Sequence, residues 1–78
     1  MTQRPPMSPL ERRAAFRAAV TLKQTTMARA ASSLGVSYNH LLLVLDGRRK
    51  PSQRLQHAVA TFLGMPIQDV FGAGQGNG

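Results

Sequence analysis

The sequence predicts an all-α fold, a compact bundle of about five short helices, and three observations carry that expectation. Apolar residues recur at helical spacing along most of the chain, a Ser or Thr stands ahead of four of those stretches, and no segment reads convincingly as a strand. With 78 residues there is room for one domain. At that size folding hides only about 60% of the surface of the unfolded chain, so the core is small. The expected organisation is a flexible N-terminal arm over residues 1–7, one domain over 8–71 and a disordered glycine-rich tail over 72–78.

The first helix opens at Ser8-Pro9-Leu10-Glu11, where Ser8 caps, Pro9 suits the first helical position and Glu11 completes a capping box. An alanine-rich run continues to about Lys23, with Ala15, Phe16, Ala19, Val20 and Leu22 as the expected buried stripe and Arg12, Arg13 and Arg17 facing outward. Thr26 caps a second helix whose Met27, Ala30, Ala31 and Leu34 share one face, and Gly35 ends it. Ser37 caps a third helix over 38–45, stopped by Asp46-Gly47. Arg48-Arg49-Lys50-Pro51 forms a basic loop. Ser52 then caps a fourth helix with Leu55, Ala58, Val59, Phe62 and Leu63 at amphipathic spacing, closed by Gly64. A last turn, Pro66 to Phe71, offers Ile67, Val70 and Phe71 for packing.

Composition narrows the functions. Without cysteine there is no disulfide scaffold, thiolate zinc site or cysteine nucleophile. Ten Lys and Arg against Glu11, Asp46 and Asp69 give a net charge of +7 and a pI near 11.8, a balance that favours a polyanionic partner. No apolar run approaches the roughly 20 residues of a membrane span. The start has no apolar signal-peptide core, so the expected location is cytoplasmic, in association with the nucleoid. Three isolated acids, and His40 and His57 far apart without a companion ligand, suggest neither an active site nor a metal or cofactor site. The expectation is that the protein is not an enzyme.

Met27 to Gly47 resembles the helix-turn-helix of the lambda repressor and Cro family, also called Xre-type regulators. Counted from Met27, the small fifth residue is Ala31 and the ninth is Gly35. The apolar fourth, eighth, tenth, fifteenth and eighteenth places hold Ala30, Leu34, Val36, Leu41 and Val44. The likeness extends over residues 8 to 71 through the capped helix before the unit, the loop and helix after it, and the Leu63-Gly64-Met65-Pro66 ending.

The resemblance implies that helix 38–45 enters the major groove of double-stranded DNA. Tyr38 and Asn39 then stand at the first base-reading places, where Asn suits a bidentate contact with adenine. Leu43 also falls at a base-contacting place and offers contact to a thymine methyl or a deoxyribose. Thr26 and the first amides of the second helix, at Met27, would hold a phosphate, with Ser37 and His40 close to the backbone. Arg48, Arg49 and Lys50 would grip the backbone without reading sequence, although a merely solvated loop explains the same run. Family members commonly pair through the end of the bundle, which implies a homodimer interface at Ile67, Val70 and Phe71. Leu42, Leu43 and Leu45 occupy places that are commonly polar in the family, and a helix this short leaves at least one of them exposed to solvent or to a protein partner.

The function expected is a transcriptional regulator, a repressor of the phage or mobile-element kind that binds a near-palindromic site as a dimer. Two alternatives stay open: an antitoxin that represses its own operon and binds a toxin, and an interaction module or RNA binder that has kept the fold without base readout.

Overall fold

A computed structural model describes residues 6–72. They form five helices, α1 (Pro9–Leu22), α2 (Met27–Ser33), α3 (Tyr38–Leu45), α4 (Gln53–Leu63) and α5 (Ile67–Val70), with no strand among the described residues. The all-α bundle read from the sequence is the fold of the chain. Among the described residues no helix is long and apolar enough to cross a membrane.

The first four helices begin and end by repeating local devices. Ser8, Thr26, Ser37 and Ser52 each accept, on the side-chain oxygen, the N–H of the residue three positions on, at 3.0–3.2 Å. At α1 the box is reciprocal, since the Ser8 N–H donates to Glu11 Oε1 at 2.8 Å. At the other end the chain turns left-handed and folds two N–H groups back onto the last turn. Val36 and Gly35 donate to Ala31 and Ser32, Arg48 and Gly47 to Leu43 and Val44, and Met65 and Gly64 to Ala60 and Thr61. In α1 the same closure is made by Thr25 and Gln24 onto Val20 and Thr21, and the left-handed residue is Gln24, φ 54°, rather than a glycine.

The core joins Phe16 and Val20 of α1, Ala30 and Ala31 of α2, Leu41, Val44 and Leu45 of α3, Leu55, Val59 and Ala60 of α4, and Val70 and Phe71 at the end. α1 packs against α2, α3 and α4, and α5 against α4. Ala30 and Ala31 let α2 lie close to α3. Phe16 and Phe62 stack with ring centroids 4.6 Å apart.

Four expectations are corrected. Arg12 is buried rather than outward: Nε donates to the Leu45 carbonyl (3.2 Å), and Nη1 donates to those of Met7 (2.9 Å) and Val70 (3.1 Å). Its guanidinium lies 5.4 Å from the centre of the Phe71 ring. Burial of the charge holds its pKa below the usual arginine range. Leu22 is not in the buried stripe but 84% exposed, because the faces that reach the core run through residues 12, 16 and 20. Val70 (0% exposed) and Phe71 (3%) are core residues and are not free to form a dimer surface, while Ile67 is half-buried. Arg12 of α1 reaches this end of the chain, where it donates to the Val70 carbonyl beside the Phe71 ring. Lastly, Met7, placed in the arm, is half-buried and its N–H donates to the Asp69 carbonyl at 3.0 Å. The remainder of the arm through residue 5, and residues 73–78 of the tail, lie outside the described residues.

Candidate nucleic-acid interface

α3 has one face in the core and one in solvent. Leu41, Val44 and Leu45 point inward, so the exposed leucine among Leu42, Leu43 and Leu45 is Leu43. Leu45 is fully buried and Leu42 half-buried. Asn39 and Leu43, four positions apart and both exposed, form the outward ridge, with exposed Tyr38 beside it in the first turn. His40 is half-buried on the flank. The first turn is held by Ser37, whose Oγ accepts the His40 N–H at 3.1 Å.

The basic loop is fixed to α3 through its backbone. Arg48 N–H (2.9 Å) and Arg49 N–H (3.2 Å) both donate to the carbonyl oxygen of Leu43, the residue whose side chain stands on the outward ridge. On the far side, Gln56 Nε2 donates to the Pro51 carbonyl at 3.4 Å and ties the loop to α4. Arg48, Arg49 and Lys50 are all exposed. Asp46 is the one carboxylate next to the loop in sequence, and Arg13 pairs with it at 3.2 Å, the only ion pair among the described residues. The loop therefore presents its three cations with the adjacent acid already neutralised.

A surface groove runs between the α2–α3 turn and the start of α4. Its walls include Val36, His40, Arg49, Lys50, Arg54 and Leu55. Arg54, an exposed residue in the first turn of α4, is the cation that sequence reasoning missed. It stands two residues past the Ser52 cap and meets His40 and Arg49 only across the groove, so no local pattern marks it. Four of the ten Lys and Arg thus lie between residues 48 and 54. Of the other expected residues, Thr26 and Ser37 are exposed caps and Met27 is half-buried against the core.

Arg48 to Lys50 also border a second depression, beside Pro9 and Gly47 and floored by Arg12, Val44 and Phe71. Among the described residues no three of His, Cys, Asp and Glu are grouped so as to hold a metal ion. The arrangement sets four exposed cations on the surface together with an exposed amide, phenol and leucine, a chemistry suited to an anionic ligand. Compared with known proteins, the chain matches no family model, no curated protein and no solved structure.

Proposed function

We propose that the protein is a sequence-specific double-stranded DNA-binding regulator of the lambda repressor and Cro kind, acting as a repressor. α2 and α3 form its helix-turn-helix, and α3 reads the major groove. One observation carries this reading: His40, in the first turn of α3, shares a groove with the exposed Arg49, Lys50 and Arg54, and the base-reading candidates Tyr38 and Asn39 are exposed in that same turn. Phosphate contacts from such a cluster set orientation and register, and side chains on the outward ridge discriminate bases. Two copies bind successive half-sites on one face of the duplex. Their contact does not use Val70 or Phe71, which are core residues.

Selection of bound sequences from random duplexes tests the proposal. The expected result is an enriched motif bound about 10³-fold or more tighter than random duplex. Affinity should fall with salt with a slope near −3 to −4 per copy if the four cations each neutralise a phosphate. Absence of any enriched motif overturns sequence-specific regulation.

A further inference from the structure

We propose that the groove between the C-terminal ends of α1 and α4 docks an acidic amphipathic helix of a separate protein partner. Leu22, 84% exposed, is the most exposed large apolar side chain among the described residues. It borders a depression walled by Ala19, Lys23, Phe62, Leu63 and Gly64. The floor is preorganised, because the Phe62 ring is stacked on the fully buried Phe16 with centroids 4.6 Å apart. At the rim, the Lys23 ammonium lies 5.1 Å from the centre of the Phe62 ring. An apolar floor under a cationic rim suits a helix that carries apolar anchors at i, i+3 and i+4 and a carboxylate on the flank.

Charge decides between occupants. None of the residues lining the groove is acidic. A second copy of the chain, net +7, brings only Glu11, Asp46 and Asp69. Glu11 is engaged in the α1 capping box and Asp46 is paired with Arg13, which leaves a second copy the single carboxylate of Asp69 on α5. A twofold contact here would also set Lys23 against Lys23. Residues 73–78, Ala-Gly-Gln-Gly-Asn-Gly, offer neither a large apolar side chain nor a carboxylate. The complement of this groove is therefore an acidic chain. The groove shares no residue with the Arg48–Arg54 cluster or the outward ridge of α3, so both surfaces can be occupied together.

The test is an NMR titration of the full isotope-labelled chain. The probe is a synthetic helical peptide with leucines at i, i+3, i+4 and i+7 and flanking glutamates; the control has lysines for glutamates. Saturable amide shifts are expected at Ala19, Leu22, Lys23, Phe62 and Leu63 with the acidic peptide. Leu22→Ser and Lys23→Glu, both at exposed positions, should each weaken binding about fivefold or more. Lys23→Glu should also reverse the preference between the two peptides. Leu22→Ser should keep the helical spectrum and duplex affinity of the parent. Shifts concentrated at Arg48–Arg54, or no saturable shift, overturn the proposal. So does sedimentation showing a dimer that Leu22→Ser abolishes, which assigns the groove to a second copy.

Discussion

Arg12 Nε donates to the carbonyl oxygen of Leu45 at 3.2 Å, which ties α1 to the last turn of α3 through a buried cation that has no carboxylate partner among the described residues. The end of a helix suits this role, because its last carbonyls lack intrahelical donors and carry partial negative charge. Nη1 extends the tie to Met7 and Val70, so one guanidinium joins the entry to α1, the end of α3 and the end of α5. Arg13, the next residue, pairs with Asp46 just beyond α3. Two consecutive arginines of α1 thus grip the C-terminal end of the helix whose first turn is proposed to face DNA.

Replacing Arg12 with methionine keeps much of the side-chain volume and leaves three carbonyl oxygens without this donor. A loss of about 2–4 kcal/mol is expected, since hydrogen bonds from a charged group and unsatisfied buried acceptors each count for one to three. Arg12→Lys should fall between the two, because an ammonium cannot match the spread of a guanidinium. Urea unfolding measures both. A change under about 0.5 kcal/mol for Arg12→Met would mean that water replaces the guanidinium at little cost.

Gly47 and Gly64 both have positive φ, 77° and 69°, but their surroundings differ. A Cβ at Gly64 meets nothing within 4 Å, whereas one at Gly47 lies 3.3 Å from Arg12 Nη2 and 3.5 Å from Pro9 Cγ. Gly64→Ala should cost about 1 kcal/mol from backbone strain alone. Gly47→Ala should cost more, because Arg12 is held by three carbonyls and cannot withdraw freely. Equal losses in thermal unfolding would show that the Arg12 side chain yields.

Gln24 takes the left-handed place at the end of α1 that glycine fills in α2, α3 and α4. Gln24→Gly should therefore stabilise the protein, by about 0.5–1 kcal/mol once the added freedom of the unfolded chain is subtracted. A fall in the unfolding midpoint would show that the Gln24 side chain makes a compensating contact.

These positions also show what was legible in the sequence. Ser8, Thr26, Ser37 and Ser52 act on an N–H three residues away, and Gly35, Gly47 and Gly64 act on their own backbone, so local pattern sufficed for nearly every helix boundary. Arg12 was misplaced because residue type outweighed spacing. It stands four positions before Phe16 and so on the buried face, but its partners come from residues 7, 45 and 70, which only the folded chain brings together. Spacing also excludes Leu22 from the Phe16–Val20 stripe, although its apolar character argued otherwise. In the candidate interface the outward ridge Asn39–Leu43 and the basic loop were legible from one helix and its end. Arg54 was not, since it joins His40 and Arg49 only across the groove.

On DNA, two classes of substitution should separate. Asn39→Ala should weaken the selected site by about 1–3 kcal/mol and random duplex far less, as for loss of a bidentate adenine contact. Arg48→Ala, Arg49→Ala and Arg54→Ala should weaken all duplexes alike and reduce the salt slope by about one unit each. Fluorescence anisotropy at several salt concentrations reads both quantities. A uniform loss for Asn39→Ala removes it from base reading, and an unchanged slope for all three arginine variants leaves the loop and α4 merely solvated.

The end of the bundle separates core from interface. Ile67 is half-buried on α5, whereas Val70 is fully buried and its carbonyl accepts from Arg12. Val70→Ala opens a small cavity and loosens α5 where Arg12 anchors it, so a loss of about 1–2.5 kcal/mol is expected, with less for Ile67→Ala. The discriminating measurement is how the unfolding midpoint depends on protein concentration. A residue that packs within one chain lowers the midpoint by the same amount at every concentration. A residue at a twofold contact stabilises by mass action, so its removal matters most where the dimer is populated. Val70→Ala should therefore lower the midpoint equally at micromolar and near-millimolar protein. A deficit that appears only at the higher concentration would place Val70 at a contact between copies, against its burial within the single chain.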